Sequence, residues 1–129
     1  MVIDSSALVA ILLQEPESDR FMQTAVATPL CLVSAASYLE TCMVMIGRSG
    51  PLARFQVDRL VQAIGAEIVP FTESQSRRAV DAFLRYGKGR QRGAGLNFGD
   101  CCSYALAVET GLPLLFKGDD FGRTDVTVA

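Results

Sequence analysis

Short apolar runs alternate with longer mixed stretches along the whole chain. Met1-Val2-Ile3 is an apolar strand signal that runs into Asp4, and Ser6 to Leu13 then reads as a short apolar helix ended by Glu15-Pro16. Ser18 caps a second helix reaching about Ala27, and Leu30-Cys31-Leu32-Val33 follows Thr28-Pro29 as a short buried strand. Ser34 opens a helix to about Ile46, closed by Gly47, and Pro51 stands near the start of another that runs to Ile64 and ends at Gly65. Glu67 to Pro70 predicts a third strand, and Thr72 with Gln75 resembles a capping box opening a helix to about Tyr86. Gly87 to Gly95 is a loop rich in glycine and basic residues. Asn97 begins a helix that ends at Gly111, Pro113 to Phe116 predicts a fourth strand, and Val126-Thr127-Val128 a short fifth. Helices alternating with short continuous apolar strands predict an α/β fold, with a mainly parallel sheet of four or five strands covered by helices on both faces. No linker, repeat or low-complexity segment divides residues 1–129, which read as one domain.

Composition narrows the possibilities. Half of the residues are hydrophobic (50%), so a membrane span has to be considered. The best candidate, Leu30 to Ile46, is broken by Glu40 and several hydroxyl residues and falls short of the ~20 apolar residues a span needs. Asp4 interrupts the first apolar run and no basic leader precedes one, so no signal peptide is expected. The surplus apolar surface instead predicts a subunit or partner interface. Cys31, Cys42, Cys101 and Cys102 all lie inside apolar patterns without Cys-x-x-Cys spacing, as expected of reduced thiols in a cytoplasmic protein. Histidine is absent, which removes Ser-His and Cys-His nucleophiles and the usual catalytic zinc sets. Chemistry must come from carboxylates, hydroxyls and basic residues.

Four acids stand where this architecture could gather them. Asp4 and Asp119 follow the first and fourth strands and would emerge on one rim of a parallel sheet, where open α/β sheets bind ligands. Asp4 is equally well placed to cap the following helix. On a wheel of about 100° per residue, Ala35, Ala36, Leu39, Cys42, Met43 and Ile46 form an apolar face with Glu40 at its edge. A carboxylate on so apolar a helix is costly unless it is paired, metal-bound or reaches water. Asp100 would favour the helix dipole three positions after an Asn97 cap, which leaves the preceding Gly99 unexplained. Asp120 reads as a turn residue, and Asp125 stays unassigned. Carboxylates converging without a partner repel, and a hard divalent cation relieves that repulsion. Oxygen ligands alone point to Mg²⁺ or Mn²⁺, as used in attack on phosphate esters.

The order Val-Ile-Asp-Ser-Ser-Ala-Leu, Ser-Tyr-Leu-Glu, Leu-Asn-Phe-Gly-Asp-Cys and Leu-Phe-Lys-Gly-Asp-Asp-Phe, closing with Thr124-Asp125, resembles the PIN domain, and more narrowly VapC-type toxins of bacterial toxin–antitoxin pairs. The resemblance spans the chain. It implies a PIN-like three-layer sandwich and a Mg²⁺-dependent ribonuclease, Mn²⁺ substituting. Asp4, Glu40, Asp100 and Asp119 match the family's acidic quartet, with Asp4, Asp100 and Glu40 as metal ligands. Ser6 matches the small hydroxyl residue of that site. The family accepts Asp or Asn at the position of Asp119. The resemblance also implies a homodimer held inactive by a small antitoxin.

Net charge is −2, so overall balance does not suggest nucleic acid. Arg77, Arg78, Arg85, Lys88, Arg90 and Arg92 are nevertheless half of the 12 basic residues. Arg85, Lys88, Arg90 and Arg92 could contact RNA phosphates or simply form a solvated loop. Two other functions compete: a phosphoreceiver-like Mg²⁺-binding signalling module, for which Lys117 would suit but the third strand carries no acceptor acid, and a PIN-domain nuclease of RNA processing that is not a toxin.

Overall fold

The computed structural model describes residues 1–90 and 94–129. Its elements are β1 (Val2–Ile3), α1 (Ser5–Leu12), α2 (Ser18–Ala27), β2 (Leu32–Ser34), α3 (Ala35–Ser49), α4 (Ala53–Ala63), β3 (Glu67–Val69), α5 (Glu73–Tyr86), α6 (Phe98–Thr110) and β4 (Leu114–Leu115), followed by a 3₁₀ turn over Asp120–Arg123. The strands form a parallel sheet in the order β3-β2-β1-β4.

Alternation along the strands sorts the core into two sides. Ile3, Val33 and Leu115 face Leu8 of α1, Phe21 of α2 and Leu60 of α4. Val2, Leu32 and Leu114 face Tyr86 of α5, Tyr104 and Leu106 of α6, and Phe121. Both faces are thus covered, as continuous apolar strands require. The first strand lies between β2 and β4, so the residue that follows it enters the rim at the middle of the sheet. There the backbone N–H of Asp4 donates to the Leu115 carbonyl at 2.9 Å.

Four expectations change. Gly47 does not close α3, which runs through it to Ser49 and ends at Gly50. The fifth strand reduces to one bridge, Val128 to Leu114, while Val126 packs against the core and the 3₁₀ turn ends at Arg123. Thr72 does cap α5, accepting from Gln75 N–H at 3.2 Å, but the Gln75 amide turns away to donate to Glu109, so the box is not reciprocal. The wheel for α3 is rotated: Leu39 and Met43 are 58% and 65% exposed, while Ser37 and Thr41 are fully buried. Hydrogen bonds offset that burial, Thr41 Oγ1 donating to the Ser37 carbonyl and Ser37 Oγ meeting Ser103 Oγ on α6. The second and fourth helices, with the turn after the latter, bury Phe21, Leu60, Val61 and Ile64 and leave Val26, Leu52 and Phe55 outside. Among the described residues, no helix is long and apolar enough to cross a membrane.

Candidate active site

Asp4 both caps α1 and faces the rim. Its Oδ2 accepts the Ser6 backbone N–H at 2.9 Å and the Ser6 hydroxyl at 2.6 Å. Its Oδ1 accepts the Ser103 hydroxyl at 2.6 Å. Only 1% of the residue is exposed, so the side chain cannot leave this frame for solvent. Ser6 does a second job, its Oγ accepting the Lys117 backbone N–H at 3.0 Å and so tying the segment after β4 to Asp4.

Glu40 projects from α3 toward the start of α6. One carboxylate oxygen, Oε2, accepts the Ser5 hydroxyl at 2.8 Å. The carboxylate rests against Gly99, where an added Cβ would stand 2.7 Å from Glu40 Cδ. This is the reason for the glycine before Asp100, which helix capping does not explain.

Asp100 completes a reciprocal capping box: its Oδ2 accepts the Asn97 N–H at 2.9 Å, and Asn97 Oδ1 accepts the Asp100 N–H at 3.0 Å. Burial pushes its carboxyl up to about 6, opposed by the Asn97 backbone hydrogen bond and reinforced by the negative charges of Asp4, Asp120 and Glu40. The carboxyl therefore senses three other acids. The acid from the segment after β4 that it senses is Asp120, which in sequence reads as a turn residue. Asp119, the family-matched position, stands at the N-cap of the 3₁₀ turn without a side-chain capping hydrogen bond, and both it and Asp120 are exposed. Adjacent acids at a strand–turn junction carry no signal in sequence to say whose charge bears on Asp100.

The donors fit a hard divalent cation. Burial pushes the Cys101 and Cys102 thiols up to about 11 and about 12, with nearby carboxylates adding to the effect, which disfavours thiolate and leaves the carboxylate oxygens as the charged donors. Among the described residues no three acidic or thiol side chains are already drawn into a metal-ligating group. Serine hydroxyls and the Asn97 N–H hold the carboxylates instead.

The basic residues are less gathered. Arg85 pairs with Asp125 at 3.7 Å, and Asp125 also accepts the Tyr104 hydroxyl at 2.5 Å, so this aspartate pins the terminal segment to α5 and α6. The Arg90 guanidinium lies over the Phe83 ring at 5.5 Å, Lys88 is exposed, and Arg92 lies outside the described residues. Beside the acids, Phe71, Val80, Phe83, Leu84, Phe98 and Cys102 line an apolar cavity of about 390 Å³.

Residues 1–126 match the family model for the PIN domain. Ribonuclease VapC30 of Mycobacterium tuberculosis is 48% identical over 130 aligned positions, covering 100% of this chain and 98% of the relative. The chain belongs to the VapC branch of the PIN-domain family. A ribonuclease VapC of Mycolicibacterium smegmatis is 47% identical to this VapC-family chain, covering 98% of it and 97% of the relative. Two solved structures share its fold. VapC20 of Mycobacterium tuberculosis, a sarcin–ricin loop cleaving toxin, superposes with a TM-score of 0.79 at 15% identity, over 99% of this chain and 97% of the other. A toxin–antitoxin complex from Klebsiella pneumoniae gives 0.74 at 17% identity, over 99% of this chain and 95% of the other. Membership of this branch sets aside the phosphoreceiver reading.

Proposed function

We propose that this VapC-family chain is a divalent-metal-dependent ribonuclease and the toxin of a toxin–antitoxin pair. The observation that carries the reading is the gathering of three acids at the rim: Asp4 at the end of β1, Glu40 packed against Gly99, and Asp100 in the turn beside that glycine. Such a cluster is disfavoured in isolation and is relieved by a cation. Relatives at 47–48% identity named as ribonucleases support the activity. Asp4, Glu40 and Asp100 would hold Mg²⁺ or Mn²⁺, with the acid after β4 closing the site. When bound, the cation supplies Lewis acidity toward phosphate oxygens and water. The chain's own residues orient the carboxylates: Ser6 and Ser103 on Asp4, Ser5 on Glu40, and the Asn97 N–H on Asp100. Lys88, Arg90 and Arg92 are suited to steering phosphates toward the rim.

The apolar cavity next to the acids suits a short antitoxin segment with apolar anchors and a basic side chain that pairs with the carboxylates. Exposed Leu39, Met43, Leu52 and Phe55 are suited to a homodimer contact. The test is cleavage of RNA by the purified protein with Mg²⁺ or Mn²⁺, with excess EDTA, and with Asp4→Asn. Metal-dependent cleavage that disappears in Asp4→Asn is expected, and undiminished cleavage in EDTA would overturn the reading. Light scattering and copurification with the product of the neighbouring small reading frame test the toxin and dimer assignments. A strictly monomeric protein that no such product binds or inhibits would leave a nuclease without a toxin role.

A further inference from the structure

Behind Asp4 runs a line of hydroxyls that capping does not require. Ser103 Oγ lies 2.6 Å from Asp4 Oδ1, and Ser37 Oγ lies 2.9 Å from Ser103 Oγ. All three side chains are buried, Ser37 and Ser103 completely, so the chain itself supplies these partners. A hydroxyl has one proton to donate. Ser103 gives its proton to the carboxylate, leaving its oxygen as the acceptor, so Ser37 is the donor of the pair. The order of donation is thereby set: Ser37 to Ser103 to Asp4, each bond polarising the next.

The positions of the two serines matter as much as their bonds. Ser37 precedes Glu40 by three residues on α3, and Ser103 follows Asp100 by three residues on α6. Residues three apart share a helix face, so each acid-bearing helix contributes one hydroxyl a turn away from its acid. The Ser37–Ser103 bond registers α3 against α6, and the Ser103–Asp4 bond registers that pair against the end of β1.

We infer that Ser103, oriented by Ser37, is a positioning residue that aims Asp4 Oδ1 and fixes the spacing of Asp4, Glu40 and Asp100. The inference rests on the reading of Asp4 as a metal-holding residue. It separates metal affinity from fold stability. Replacing Ser103 by Ala leaves the buried Ser37 hydroxyl without its partner, which lowers stability. Removing both hydroxyls relieves that orphan and restores part of the stability, but Asp4 Oδ1 then has no donor, with only Ser6 left on Oδ2.

The experiment is calorimetric titration of the full chain with Mn²⁺ alone, alongside thermal melts, for wild type, Ser103→Ala, Ser37→Ala, the double variant and Asp4→Asn. Ser103→Ala is expected to weaken Mn²⁺ binding by about 10–100-fold, the range for partners that orient a metal ligand. Ser37→Ala, one link further back, should have a smaller effect of the same sign and serves if Ser103→Ala does not fold. In the double variant the melting temperature should recover relative to Ser103→Ala while Mn²⁺ affinity does not. Cleavage by Ser103→Ala should fall in kcat with KM for RNA unchanged. Mn²⁺ affinity within twofold of wild type in Ser103→Ala, or affinity that recovers with melting temperature in the double variant, overturns the inference. If Asp4→Asn loses Mn²⁺ while Ser103→Ala keeps it, the inference alone fails; if Asp4→Asn also binds as wild type does, the metal reading beneath it fails.

Discussion

Gly99 forms the floor under the Glu40 carboxylate: a Cβ at residue 99 would stand 2.8 Å from Glu40 Oε1 and 2.7 Å from Cδ. Two helices far apart in the sequence therefore meet where an acid needs the space of a missing side chain.

Gly99→Ala should separate folding from function. Alanine in a helix gains up to about 1 kcal/mol over glycine, and the displaced atoms are the free end of a flexible side chain. The melting temperature is expected to hold or rise. Activity should fall by on the order of 100-fold, the cost of moving a reacting group by about 1 Å. Melting and cleavage assays on one preparation check both.

Asp100 makes stability depend on pH in a defined direction. Its folded carboxyl sits at about 6 against an ordinary value of 3.8, so between these values the folded state holds the proton more often than the unfolded one. Stability of the metal-free protein is expected to fall as pH rises through this window and to level off above it. Asp100→Asn should flatten that slope, since the amide keeps an oxygen for the Asn97 N–H. Urea titrations in EDTA from about pH 4 to 7 read the difference, and an unchanged slope would count against a raised Asp100 carboxyl.

Asp119→Asn and Asp120→Asn distinguish the two acids after β4. Asp120 is the one whose charge reaches Asp100, so its loss should reduce Mn²⁺ affinity and cleavage more than loss of Asp119. The opposite ranking would return the role to the family-matched position.

Lys88→Ala with Arg90→Ala tests the basic loop without touching the acids. For every phosphate that the variant no longer neutralises, the log–log salt dependence of single-stranded RNA binding should flatten by about 0.7. An unchanged slope would make the loop a solvated one.

The order of elements was legible from sequence because each carries its own local physics: apolar runs of strand length, Asn97 and Thr72 as caps, and Gly87 and Gly111 after helix ends, although Gly47 lies inside α3. The resemblance grouped Asp4, Glu40 and Asp100 from motifs alone, and the fold brings these three to one rim. Local pattern could not say which side of α3 faces inward. Its most apolar stripe is left outside, because the hydroxyls of Ser37 and Thr41 find partners when α3 closes on α6 and its own preceding turn. Nor could it say that the charge of Asp120 bears on Asp100, which depends on where the 3₁₀ turn carries that residue. The chain's order of residues thus nominates the acids and places the elements that carry them. What surrounds each acid is set by packing, since Ser103 reaches Asp4 across 99 residues of chain and Gly99 meets Glu40 from another helix. Local propensity is a property of neighbours in sequence, whereas the burial and hydrogen bonding that tune a carboxylate are properties of neighbours in space.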